Sequence, residues 1–199
     1  MAHPLILASG SEIRATLLKN AGLRVETIPA KIDEHSIKAS MLAEAAKPRD
    51  IADALAEHKA RRISVKHQGA LVLGCDQVAE IDGHLLSKPE TAHEARAQLH
   101  RLAGQTHKLL SAAVICQAGQ PIWRHVGTVR LTMRALSQPY VADYVARNWQ
   151  GIRHSVGGYK LEEEGVRLFS RIDGDYFTVL GLPLTDLLSY LIDSGELAI

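Results

Sequence analysis

Short apolar runs bounded by glycine and proline alternate along this chain with stretches whose apolar residues recur at helical spacing. The clearest run is Ala70-Leu71-Val72-Leu73, bounded by Gly69 and Gly74, which predicts a strand buried on both faces. Val78–Ile81, Asp82-Gly83 and His84–Leu86 predict a hairpin, because Asp-Gly tolerates the positive φ angles of a type I′ turn. Pro4–Ala8 is a first strand; it breaks at Ser9-Gly10-Ser11 before Ile13, Leu17 and Leu18 begin a helix ending at Gly22. Leu23–Pro29 is a second strand, followed by a loop carrying Asp33 and Glu34. Pro48 to about Val65 is a helix with proline near its first turn and Ile51, Leu55, Lys59 and Arg62 at turn spacing. Thr91–Leu102 is another helix, and Lys108–Gln117 and Ile122–Met133 are strands that pair antiparallel across Ala118–Pro121. Tyr140–Trp149 is helical, Val166–Ile172 is a strand, and Tyr176–Leu180 continues it after the turn Asp173-Gly174-Asp175. Leu187, Leu188, Leu191 and Ile192 mark a final helix that opens at Gly181-Leu182-Pro183-Leu184. Strands and helices interleave with several hairpins, so the expected fold is α/β, one domain over residues 1–199, with a mixed sheet flanked by helices.

Composition narrows the function classes. Hydrophobic residues make up 46% of the 199 positions and charged residues 23%, which is the balance of a folded globular chain. Lys and Arg total 23 against 22 acids, and a net charge of +1 argues against a protein that neutralises many duplex phosphates, so no nucleic-acid partner is expected. Cys75 and Cys116 fall in apolar runs without metal-ligand spacing and read as buried free thiols in a reducing compartment. No segment approaches the roughly 18 apolar residues of a membrane span. A cytoplasmic protein without a membrane partner is the expectation.

The candidate chemistry sits where polar residues interrupt apolar runs. Asp76 follows the buried run at 70–73 and is expected at a strand end, where open α/β sheets present ligands. The hairpin folds Lys88 back toward it, and a carboxylate with an ammonium can hold a metal and a phosphate respectively; alternatively they are an ordinary strand-end Asp and a surface Lys. Strand, small-residue turn, helix at Ser9–Arg14 is an anion-binding arrangement of free N–H groups, hydroxyls and one guanidinium; alternatively Ser11 is an N-cap and Arg14 a solvated helix residue. Lys59 lies on or beside the apolar face of its helix, so it either snorkels past the core or points into a cleft. The loop Gly157–Gly165 concentrates glycine and charge, as site-bearing loops do.

Taken together, Leu7-Ala8-Ser9-Gly10-Ser11-x-x-Arg14, Glu57-x-Lys59-Ala60, Gly74-x-Asp76, Asp82-Gly83 with Lys88-Pro89, Gly104-Gln105-Thr106-His107, and Ile172-x-Gly174-Asp175-Tyr176 with Gly181-Leu182-Pro183-Leu184 resemble the Maf family across nearly the whole chain. The resemblance implies a cleft between two lobes, as in inosine triphosphate pyrophosphatases. It also implies cleavage of a nucleoside triphosphate between its α- and β-phosphates, helped by a divalent metal, Mg²⁺ or Mn²⁺. It makes Asp76 the acid that activates water or holds the metal, Glu34 a further metal-site acid, and Ser9, Arg14, Lys59 and Lys88 the phosphate contacts. Ile13, Gln77, Lys160 and Glu162 depart from the commoner family pattern, and Gln77 with the Lys160-x-Glu162 pair resembles the subgroup that prefers 7-methyl-GTP. A methylated guanine ring is cationic and offers donors that the Glu162 carboxylate could accept. The resemblance is compatible with a homodimer. The family's association with septum formation leaves a competing reading, a nucleotide-binding regulator of cell division.

Overall fold

The computed structural model describes residues 2–198. Its centre is one seven-stranded mixed sheet: β1 (Leu5–Leu7), β2 (Val25–Thr27), β3 (Leu71–Ile81), β4 (His84–Leu86), β5 (Thr106–Gln117), β6 (Gln120–Met133) and β7 (Phe169–Asp173). The order is β2-β1-β3-β5-β6-β7, with β4 added on β3. β1 runs parallel to β2 and β3, and every other pairing is antiparallel. The helices are α1 (Glu12–Asn20), α2 (Glu34–Ala43), α3 (Pro48–Ser64), α4 (Ala92–Leu102), α5 (Gln138–Ile152), α6 (Tyr176–Val179) and α7 (Leu184–Asp193).

β3 organises the rest through the period-two alternation of its side chains. Its odd positions carry two separate cores on one face. Leu71, Leu73 and Cys75 pack with Leu17 and Leu18 of α1 and Leu187 and Leu191 of α7. Ala79 and Ile81 pack with Leu99 and Leu102 of α4 and Val141 and Tyr144 of α5. Its even positions Val72 and Val78 pack on the other face against Ala52, Ala56 and Ala60 of α3. The two cores on the odd face are the two lobes, and β3 joins them.

The edge of β3 shows the same division. β5 covers one edge from Val72 to Glu80. On the other edge, β1 pairs with Leu71–Leu73 and β4 with Ala79–Ile81, so among the described residues the stretch between them has no strand neighbour there. α3 approaches very closely at this point: a Cβ on Gly74 would lie 2.1 Å from the Ala56 carbonyl oxygen and 2.7 Å from the Ala60 nitrogen. The small residues of α3 and the missing side chain at Gly74 together let helix and strand backbones touch.

Several expected elements change. Asp76 is mid-strand rather than at a strand end, because its pairing with Ala112 continues the ladder through the polar residues. The 34–43 segment is a helix that the hydrophobic pattern did not announce, since none of its residues is buried; Asp33 caps it by accepting from the Ser36 N–H. The expected strand at 166–172 begins only at Phe169, after a 3-10 turn over Glu164–Leu168. The apolar stretch after Asp175 is the short helix α6, not a strand, because the Asp175 carboxylate caps the Thr178 N–H at 2.8 Å. The β5–β6 turn is tighter than expected, with Ala118 and Gly119 at φ 47° and 80°. The β3–β4 hairpin forms as expected, with Asp82 and Gly83 at φ 52° and 79°. Cys75 and Cys116 are buried free thiols, and no described helix is long and apolar enough to cross a membrane.

Gly74→Ala tests the contact between α3 and β3. The new methyl meets backbone rather than a flexible side chain, so urea unfolding is expected to show a loss at or above the roughly 1–3 kcal/mol of an overpacked core position.

Candidate active site

The even face of β3 brings Asp76 under α3. Lys59, three helical turns into α3, points from that helix onto the strand rather than out to solvent, which settles its orientation in favour of the cleft. Its ammonium donates to Asp76 Oδ1 at 2.7 Å and pairs with Glu34 Oε1 at 2.8 Å. Lys59 is 8% exposed and Asp76 6%, so their attraction is little screened by water. Glu34 reaches them from the first position of α2.

Burial alone would push the Lys59 ammonium toward neutrality, but the Asp76 and Glu34 carboxylates outweigh it and hold its pKa above the ordinary 10.5. For Glu34 burial works the opposite way, and the hydrogen bond and charge of Lys59, with the charges of Lys38 and Lys88, pull its pKa below the ordinary 4.5. The Lys88 contribution puts that exposed ammonium within electrostatic reach of the cluster, as the hairpin requires.

Asp76 Oδ2 is the exception in this network. It is buried and has no hydrogen-bond partner among the described residues. An open anionic oxygen beside a second carboxylate suits a hard divalent cation. No group of three His, Cys, Asp or Glu side chains gathers anywhere among the described residues, so a cation here would take its remaining ligands from substrate oxygens and water, as Mg²⁺ commonly does.

The Ser9–Arg14 turn closes the site from the β1 side. Arg14 Nη1 donates to Ser9 Oγ and to the Cys75 carbonyl, both at 3.2 Å, and Nε donates to the Gly181 carbonyl at 2.8 Å. Arg14 is therefore not a solvated helix residue: it spans the open edge of β3 one residue before Asp76. Ser9 Oγ also accepts from the Ser11 N–H at 3.3 Å, and Ser11 occupies the N-cap position of α1 without a capping bond from its side chain.

The residues expected to govern substrate choice are dispersed. Ile13 packs partly against the α1–α7 core. Gln77, on the odd face, turns its amide inward to Ser111 Oγ and to the carbonyls of Thr178 and Val179. Lys160 pairs with Glu163 at 3.0 Å rather than with Glu162, which is exposed. Their loop is anchored by Tyr159, whose hydroxyl lies 2.6 Å from His107 Nε2. Ser111 and Thr178 escaped the sequence reading, and Gly181 entered it only within the Gly181–Leu184 motif; a lone serine inside the apolar run of β5 was the only local signal for Ser111. A groove of about 950 Å³ at the far end of β1, lined by His3, Arg24, Glu26 and Leu197 among others, has no comparable cluster of carboxylates and ammonium.

The mixed α/β sheet thus carries a buried carboxylate–ammonium cluster beside an arginine-bearing turn, with cationic groups of the kind that bind phosphorylated anions. The family profile described as Maf-like protein matches residues 4–194, and the chain belongs to that family. The nucleoside triphosphate pyrophosphatase of Ruegeria pomeroyi (strain ATCC 700808 / DSM 15171 / DSS-3) is 65% identical over 195 residues, covering 98% of both chains. The 7-methyl-GTP pyrophosphatase of Brucella abortus biovar 1 (strain 9-941) is 44% identical over 191 residues, covering 96% of both. A crystal structure of a nucleoside-triphosphatase / dITP/XTP pyrophosphatase from Mycobacterium abscessus gives a TM-score of 0.38 at 17% identity, covering 65% of this chain and 72% of that one.

Two substitutions separate chemistry from stability. Asp76→Asn leaves an amide oxygen for Lys59, which keeps Glu34 as its counter-charge, so it is expected to cut turnover by about 10²–10⁴ with the fold intact and a smaller stability loss than Lys59→Met. Lys59→Met leaves two carboxylates facing each other without their cation and is expected to cost about 3–5 kcal/mol in urea unfolding. The cluster also carries a pH signature. The Glu34 contribution is present above pH 4.5 and is lost as pH falls through its depressed folded value. The Lys59 contribution is complete below pH 10.5 and is lost as pH rises through its elevated folded value. Thermal midpoints measured across both windows should fall more steeply in the wild type than in Lys59→Met.

Proposed function

We propose that this chain hydrolyses a nucleoside triphosphate between the α- and β-phosphates, releasing a nucleoside monophosphate and pyrophosphate and so removing an unwanted nucleotide from the pool. The observation that carries the reading is Asp76: one oxygen is fixed by Lys59, and the other is buried and open. The names of relatives that match this chain over nearly its full length support the same reaction.

The chain's residues divide the work. Lys59 orients Asp76 through Oδ1 and leaves Oδ2 open, where it serves either as the base for the attacking water or as a cation ligand. The water oxygen bonds to the α-phosphorus as the bond to the bridging oxygen breaks, and the electron pair leaves with pyrophosphate. Arg14, Lys88 and the Ser9 turn neutralise the charge that builds on the departing group. In the second of these roles Asp76, with Glu34 nearby, would hold the divalent cation, Mg²⁺ or Mn²⁺, whose charge would further stabilise the phosphate oxygens.

For the base, 7-methyl-GTP is the substrate of choice for a first test. Relatives at 44% identity are named for it, and Glu162 is an exposed carboxylate suited to a cationic ring.

The experiment is pyrophosphate release with Mg²⁺ or Mn²⁺ from the common nucleoside triphosphates and 7-methyl-GTP, with and without chelator. Release that chelation abolishes, and that is fastest on 7-methyl-GTP, is the expected result. Preference for dTTP or UTP would overturn the base assignment alone. Tight nucleotide binding without any release would favour the regulator of cell division.

A further inference from the structure

Gln77 faces away from the carboxylate cluster, and its amide nitrogen has three acceptors. Nε2 donates to Ser111 Oγ at 2.9 Å, to the Val179 carbonyl at 2.9 Å and to the Thr178 carbonyl at 3.2 Å. Carbonyl oxygens only accept, so the amide orientation is fixed with its nitrogen toward α6. Ser111, fully buried, donates its own hydroxyl to the Thr178 carbonyl at 2.7 Å. The Gly181 N–H closes onto the same oxygen at 3.1 Å. Three donors thus converge on one carbonyl, and they hold the turn Thr178–Gly181.

That turn ends at Arg14. The Gly181 carbonyl accepts from Arg14 Nε at 2.8 Å, the shortest of the three bonds that orient the guanidinium. Gly181 has φ +91°, and a Cβ on it would lie 2.9 Å from Arg14 Nη2, so turn and guanidinium are in direct contact. The Thr178 side chain is seated just as closely on β6, where a Cβ on Gly127 would lie 2.7 Å from Thr178 Oγ1. The turn has little room to shift without moving the guanidinium.

We propose that Gln77 and Ser111 are positioning residues for Arg14. They fix the Thr178–Gly181 turn, whose last carbonyl aims the guanidinium, and they act on every substrate through its phosphates rather than by reading the base. The inference rests on the reading of Arg14 as a phosphate ligand.

Gln77→Met keeps the side-chain length and removes the amide; Ser111→Ala removes the second donor. The full chain is titrated with inorganic tripolyphosphate, which has no base, and kcat/KM is measured on 7-methyl-GTP, GTP and dTTP. Each variant is expected to weaken tripolyphosphate binding by roughly three- to tenfold, the effect of one hydrogen bond, and to lower kcat/KM by one common factor on all three nucleotides. In an Arg14→Ala background, Gln77→Met should add nothing. Unchanged tripolyphosphate affinity with a base-dependent loss, or full additivity with Arg14→Ala, would overturn the proposal. Ser111→Ala carries the same comparison if Gln77→Met does not fold. A wild type that binds tripolyphosphate but cleaves no nucleotide would refute the hydrolase reading and leave this inference standing on the binding data. A wild type that does not bind tripolyphosphate would overturn both.

Discussion

A lysine ammonium held between two carboxylates at the waist of a long strand is the constraint on which the rest of this molecule depends. Lys59, Asp76 and Glu34 come from a helix, a strand and a second helix; Lys59 and Asp76 are buried together and compensate each other, and Glu34 closes the cluster from a half-exposed position. The Coulomb attraction among them offsets the desolvation of Lys59 and Asp76, the two buried members. It also leaves the cluster incomplete, because Asp76 retains a buried oxygen with no partner among the described residues. A fold built for stability alone would satisfy that oxygen or replace it by a methyl group.

The sheet is arranged to make that waist available. β1 and β4 each cover one end of the same edge of β3, and the uncovered stretch between them is where Arg14 reaches the Cys75 carbonyl. The two cores on the odd face end on either side of Gln77. Packing, hydrogen bonding and charge therefore change character at the same three residues, Cys75, Asp76 and Gln77. Strand pairing with β5 runs straight through them, which keeps their geometry rigid while two different faces and an edge meet different partners.

Much of this was legible because the signals were local. Asp76 stood out as a carboxylate ending an apolar run, Lys88 was brought back by a two-residue turn, and Lys59 fell at helical spacing among apolar residues. The direction of Lys59 needed the partner strand. Glu34 gave no signal of its own, since α2 buries none of its residues and so leaves no hydrophobic period; only the family resemblance singled it out. Tyr176–Leu180 carries the aromatic and β-branched residues of a strand, and one capping bond from Asp175 overrides that preference. The partners of Gln77 lie 34, 101 and 102 positions along the chain, a separation at which no periodicity or spacing rule applies.

The central claim is that this cluster directs water to the α-phosphorus of a nucleoside triphosphate. Turnover in water labelled with a heavy oxygen isotope tests it most directly, with the products separated and weighed by mass spectrometry. One labelled oxygen in the nucleoside monophosphate, with unlabelled pyrophosphate, is the predicted result. Label in pyrophosphate, or release of orthophosphate in place of pyrophosphate, would contradict it.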